Sequence, residues 1–203
     1  MREITHNILE DPSKFQLILL PCTVYQKKDG TTPVQKSGFF HDLVEKYSFL
    51  PASIGKSVEK YGNCPAILES IPNTKFPTKF GTFPVTPTSL RVENPDDVVY
   101  SRLKGKFKKY SLLPGWTLLP RSDMVEFSCI KLLEIMKYYK LSQVALPFEM
   151  FAFDREDESD YLRTASIIQK FIPDNLYLVF KPRQDENIHG NIVQTTYSEK
   201  ENG

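Results

Sequence analysis

Glycine is scarce in this chain, nine residues in 203, while proline is abundant at fifteen. Few backbone positions can therefore reach positive φ without strain, and many turns are stiffened by proline. A loop that cradles phosphate through glycines has few of them to draw on. Cysteine is also rare: Cys22, Cys64 and Cys129 are far apart, odd in number and in no C-x-x-C spacing. That argues against a disulfide framework or a zinc site and for a reducing compartment. The formal net charge is only +1, so no global field favours nucleic acid or a membrane surface. No apolar run approaches the ~18 residues of a membrane helix. The first residues, MREITHNILED, have neither the apolar stretch nor the cleavage site of a signal peptide. A soluble, intracellular (cytoplasmic) protein is expected. No H-E-x-x-H, Walker loop or Ser-His-Asp order is present.

What is there is ordinary globular material, 40% hydrophobic and 25% charged. One domain over residues 1–182 is expected, with an insertion at about 81–115 and a polar tail over 183–203. Lys14–Pro21 reads as a buried strand. A polar loop follows, with Asp29-Gly30 and Pro33 in it. The spacing of Phe39, Phe40, Leu43, Val44 and Tyr47 predicts a helix ending at Tyr47 and capped by Ser37. A shorter helix is expected over Ser53–Tyr61, closed by Gly62. Short strands are expected over Pro65–Ile71 and Thr74–Lys79. From Gly81 to Trp116 the pattern breaks down around Pro84, Pro87, Pro95 and Pro114, and the segment reads as an insertion with room for one hairpin. The clearest helix is Ser122–Tyr139, with Ser122 as its cap and Val125, Cys129, Leu132, Leu133 and Met136 at helical spacing. Strand Gln143–Pro147, helix Asp157–Phe171 and strand Asn175–Lys181 complete the pattern.

Strands alternating with helices imply an α/β fold with a mostly parallel sheet, whose ligands sit beyond the carboxyl ends of the strands. Two loops occupy that position, Cys22–Ser37 and Phe148–Asp157. The second, within LPFEMFAFDRED, has no glycine, four large apolar residues (Phe148, Met150, Phe151, Phe153) and a cluster of acids.

These loops, in this order, carry a family resemblance. The text CTVYQKKDGTTPVQKSGFFHDLVEKY, then EKYGNCPAIL, FPTKF and PGWTLLPRSDMVEFSCIKLLEIMKYYKLSQVALP resembles the macrodomains, ADP-ribose-binding modules. It is most similar to a bacterial and phage branch with a first loop T-N-G-x-x-K-x-D-G-x-x-V-M-G-x-G, then F-P-T-K, a Ser-Asp helix, and P-x-P-G-C-G-N-G-G-L-x-W. The resemblance runs from about Thr5 to Phe180 and implies a three-layer α/β/α sandwich with a mixed, mostly parallel sheet. It implies no cofactor or metal and assigns no catalytic residue. Asn7 stands where the family uses an Asp on the adenine amino group, and Thr23 where an Asn meets the distal ribose. Gly30 and Gly38 are kept in the first loop, but Val34-Gln35-Lys36-Ser37 replaces most of its glycine character. Phe148–Arg155 replaces the second glycine-rich loop, with Phe148, Phe151 and Phe153 where backbone donors would hold a diphosphate.

Each candidate has a plainer reading beside it. Asn7 and Thr23 can be a turn cap and a strand-end hydroxyl. The phenylalanines can be core or lid. Asp154, Glu156, Asp157, Glu158 and Asp160 can bind a divalent ion or simply favour a helix N-terminus. Arg102, Lys104, Lys106, Lys108 and Lys109, with Phe107 and Tyr110, can meet nucleic acid phosphates or form a solvated hairpin face. Cys129 and His41 would make a nucleophilic pair only if adjacent in space. Three functions follow from the resemblance: a binding module for an ADP-ribose-like or other nucleotide-derived ligand, a protein-interaction module with a vestigial cleft, or an ADP-ribosyl hydrolase.

Overall fold

The structure is a computed structural model and describes residues 2–34, 38–72, 77–93, 107–147, 158–171 and 176–180. In chain order its elements are β1 (Arg2–Thr5), β2 (Leu17–Thr23), α1 (Phe39–Lys46), α2 (Leu50–Tyr61), β3 (Ile67–Ser70) and β4 (Lys79–Thr86). There follow β5 (Ser89–Arg91), β6 (Leu112–Pro114), α3 (Ser122–Tyr139), β7 (Val144–Pro147), α4 (Glu158–Phe171) and β8 (Leu176–Phe180).

Strand β2 sets the architecture. Every residue from Leu17 to Cys22 is buried, as a strand covered on both faces requires. Leu17 and Leu19 pack with Val125, Cys129, Leu132 and Met136 of α3 and Ile168 of α4. Ile18, Leu20 and Cys22 point the other way, among Leu43 of α1, Tyr47 and Leu50 and Ile54 of α2. Burying each such aliphatic side chain stabilises by about 1.5–3 kcal/mol. The result is a three-layer α/β/α sandwich. Its six-stranded sheet runs β1-β8-β7-β2-β4-β3. All neighbours are parallel except β3, which runs antiparallel to β4 at one edge.

The sheet departs from the sequence expectation at β4. A strand was expected over Thr74–Lys79 and an insertion from Gly81; the strand is Lys79–Thr86, fully buried from Phe80 onward. Gly81 and Pro84 look like breakers but fit here. A Cβ at Gly81 would lie 3.0 Å from Leu17 Cδ1 and 3.2 Å from the Ala66 carbonyl oxygen. The Pro84 carbonyl accepts a 2.6 Å bond from Ser128 Oγ of α3. Phe80 faces the α1–α2 layer and Phe83 the α3–α4 layer. The excursion therefore starts after β4, and it does hold a hairpin: β5 and β6 pair antiparallel over a small core of Val92, Leu113 and Leu118.

Several boundaries also move. β1 was not expected at all. β3 is only Ile67–Ser70, and β2 starts at Leu17 because Pro12–Lys14 forms a 3-10 turn. α2 begins at Leu50, since Pro51 in a first turn lacks only an N–H that would have had no helical partner. α1 is capped by Gly38 at φ 93°, with no side-chain cap bond. At α3 the N-cap is Arg121, so Ser122 is the first helical residue rather than the cap. Arg121 instead makes a two-pronged pair with Asp123, at 3.0 and 2.8 Å, which lowers the Asp123 pKa. No helix among the described residues is long and apolar enough to cross a membrane.

Candidate functional site

The chain leaves β2 towards one face of the sheet and β7 towards the other: α1 and α2 cover one side, α3 and α4 the opposite one. Neighbouring parallel strands whose connections diverge in this way leave a crevice at their carboxyl ends. The crevice begins early. The β2–β7 ladder pairs only Leu17 with Val144 and Ile18 with Ala145, although the strands continue to Thr23 and Pro147. Pro21 and Pro147, which carry no N–H, stand beyond the last paired residues.

Thr23 ends β2 beside this crevice, half-buried. The β2–β4 register slips between Cys22 and Thr23, bringing Thr23 opposite Thr86, and the Val24 N–H donates to the Thr86 carbonyl at 3.1 Å. Thr86 itself is fully buried, and its Oγ1 has no hydrogen-bond partner among the described residues. Sequence reasoning missed this residue. A buried hydroxyl without a partner costs about 1–3 kcal/mol relative to a satisfied one. Thr86→Val removes it at nearly constant shape and is expected to stabilise the protein by about 1 kcal/mol, read as a raised urea midpoint. A lowered midpoint would show that the hydroxyl is satisfied in solution.

After β2 the chain forms a tight turn. The Lys27 N–H donates to the Thr31 carbonyl at 2.8 Å and the Gly30 N–H to the Lys27 carbonyl at 3.0 Å. Gly30 takes φ 81° to close it. Its carbonyl accepts from Gln26 Nε2 at 3.2 Å, and the same nitrogen donates to the Gly55 carbonyl at 3.2 Å. Both backbone groups of Gly30 are thus used inside the protein, and this residue shapes the loop without offering a free donor. The Thr32 N–H donates to the Pro51 carbonyl at 2.9 Å, seating the loop on α2. Asp29 accepts from the Thr31 hydroxyl and N–H, which holds its carboxyl below the usual range.

Gly38 then opens α1. Its carbonyl accepts from the Asp42 N–H at 3.1 Å. Among the described residues no side chain caps α1, so its first turn leaves a partial positive charge at this end. Asn7 follows β1, so it stands at the same carboxyl edge. Its Oδ1 accepts from the Leu9 N–H at 3.2 Å, and its carbonyl accepts from Glu10 and Asp11 N–H groups at 3.2 and 3.0 Å. Asn7 is therefore the pivot of a turn, with its side-chain nitrogen left as a donor.

Lys36, Ser37, Phe148, Phe151 and Phe153 lie outside the described residues, as do Met150, Asp154, Glu156, Asp157, Arg102, Lys104 and Lys106. Glu158 and Asp160 stand in the first turn of α4. Lys108 and Lys109 are exposed in a turn, not in a strand, and Tyr110 takes φ 67° there. His41 and Cys129 are not neighbours: α1 packs on one face of the sheet, while Cys129 is buried in the core on the other. Burial pushes the Cys129 thiol up to about 12, which makes it a poor nucleophile. His41 lies instead by Asp42 at 3.8 Å and Glu45 at 3.9 Å, a partly exposed group on α1.

Solved structures share this fold. The macrodomain of Thermus aquaticus DarG matches over 90% of this chain and 97% of its own, with a TM-score of 0.55 and 14% identity. The macrodomain of Mycobacterium tuberculosis DarG matches over 90% and 97%, with a TM-score of 0.54 and 12% identity. The fold is that of a macrodomain. Thermosipho africanus DarTG, solved in complex with ADP-ribose, matches over 90% of this chain and 43% of its own, with a TM-score of 0.56 and 9% identity. No protein-family profile matches the sequence, and no curated protein matches it either. The macrodomain likeness thus rests on backbone path, and the identity of the side chains at the crevice is this chain's own.

Proposed function

We propose that this macrodomain-fold chain is a binding module for ADP-ribose or another nucleotide-derived ligand, without catalysis of its own. The observation that carries the reading is the uncapped N-terminus of α1, which follows β2 at the point where the sheet's connections diverge. A helix N-terminus with unpartnered N–H groups favours a phosphate. Thr23 supplies a hydroxyl and Asn7 an amide at the same edge, as sugar- and base-facing groups. The structural neighbour solved with ADP-ribose supports that ligand class.

The loop after β7 holds no glycine from Phe148 to Asp157, so it has few backbone donors to turn towards a diphosphate. Each lost charge-assisted hydrogen bond weakens binding by roughly 1.5–3 kcal/mol, and about 1.4 kcal/mol is already tenfold. Calorimetric titration is expected to show saturable binding of ADP-ribose, at least tenfold weaker than to Thermosipho africanus DarTG measured alongside. Absence of saturation at millimolar ADP-ribose would overturn the ligand assignment. Equal affinities would overturn the remodelling of the loop.

A further inference from the structure

The amino edge of the sheet, opposite the crevice, holds a cavity of about 660 Å³. That lies within the range of roughly 300–1,000 Å³ typical of small-molecule sites. It is assembled from separated segments: the residues before β2, the start of β4, and the end of α3 with the turn into β7.

Three features of its lining define a ligand chemistry. The first is apolar surface: Leu17, Leu141 and the ring of Tyr139 line it. Leu141 is turned back there because Lys140 ends α3 in the left-handed conformation, φ 54° and ψ 42°, with the Leu141 N–H bonded to the Met136 carbonyl at 2.8 Å. The second is charge of one sign. Lys14 and Lys79 line the cavity, no acidic residue does, and neither lysine forms an ion pair among the described residues. The third is a fixed donor. Gln16 Oε1 accepts from the Ser142 N–H at 2.8 Å, the Ser142 hydroxyl at 3.4 Å and the Gln143 N–H at 3.1 Å. That holds the carboxamide, whose two N–H donors have no partner among the described residues.

Apolar surface bordered by two lysines and a fixed amide donor, with no acid in the lining, suits an anion with an apolar body better than a cation. A carboxylate takes charge-assisted bonds from lysine and amide donors that an alcohol of the same length takes only weakly. We propose that this amino-edge cavity is a second binding site, for a small monocarboxylate with an apolar tail, held by Lys14, Lys79 and Gln16 over Leu17 and Leu141. It is independent of the crevice at the carboxyl edge.

The test uses octanoate and 1-octanol as probes, titrated into isotope-labelled protein and followed through backbone amide resonances. Octanoate is expected to shift the amides of Gln16, Leu17, Leu141, Ser142 and Gln143 saturably, and to bind at least tenfold more tightly than octanol. Replacing both lysines, Lys14→Ser with Lys79→Ser, should abolish that preference while leaving octanol binding unchanged. Equal affinity for the two probes in the unaltered protein would overturn the proposal. So would shifts confined to the exposed apolar face of α3, where Phe127 and Ile130 are 37% and 43% exposed.

Discussion

Gly55→Ala is expected to destabilise the protein by about 2–3 kcal/mol, although alanine is the better helix former by about 1 kcal/mol. Gly55 is buried within α2, against the turn that Gly30 closes. A Cβ there would lie 2.0 Å from the Gly30 carbonyl oxygen, 2.9 Å from its carbon and 3.1 Å from Thr31 Cα. All three are backbone atoms, so no rotamer change can relieve the clash; either the loop or the helix must move. A moved loop also weakens the bond from Gln26 to the Gly55 carbonyl and that from the Thr32 N–H to Pro51. Urea unfolding should show the lower midpoint, and hydrogen exchange at the Thr32 amide should quicken in the native state. An unchanged midpoint would mean that the loop does not rest on α2 as described.

Alkaline pH is expected to destabilise the fold steeply through two thiols. Burial pushes Cys22 up to about 12, the Phe83 backbone opposing it slightly. Burial also pushes Cys129 up to about 12, helped by the charge of Glu126. The unfolded thiols ionise near 9. Below that pH both contributions are fully present. Between pH 9 and 12 the unfolded chain has released protons that the native state keeps, so stability falls as pH rises, by about 1.4 kcal/mol per unit for each thiol. Urea midpoints across this window, compared with those of the double variant Cys22→Ala, Cys129→Ala, isolate the effect from lysine and tyrosine titration. The variant should be less stable near neutrality yet lose stability more slowly with pH. Parallel slopes would sink the prediction.

The layered fold was legible because its central elements have strong periodic signatures. Leu17–Cys22 is too short for a helix and too continuous for a half-exposed strand. In α3, Val125, Cys129, Leu132 and Met136 mark one face and are buried, while Leu133, read in the same series, is exposed. β4 was not legible: Gly81 and Pro84 signal a break locally, and only the proximity of Leu17, Ala66 and Ser128 makes them suitable. β1 was missed because four residues at a sheet edge carry too little pattern. At the crevice, Thr23 could be placed at a strand end from the run before it. The use of both Gly30 backbone groups by Lys27 and Gln26 could not, and nor could the unpartnered hydroxyl of Thr86, since each depends on neighbours brought in by folding. The amino-edge cavity is hidden for the same reason: Lys14, Lys79 and Leu141 meet only after three segments converge.

The pairing of β1 with β8 fixes an order of events. Arg2 lies beside Tyr177 and Thr5 beside Phe180 in a parallel ladder, and among the described residues β1 has no other neighbour in the sheet. As the chain emerges from the ribosome, β1 is made early and has no partner until β8 has followed. Contacts this distant in sequence come late because the loop between them must first be closed. During synthesis a growing chain can form β2, β4 and the α1–α2 layer while β1 is still loose. Asn7, which hangs from that strand, is among the last of the crevice residues to reach its place.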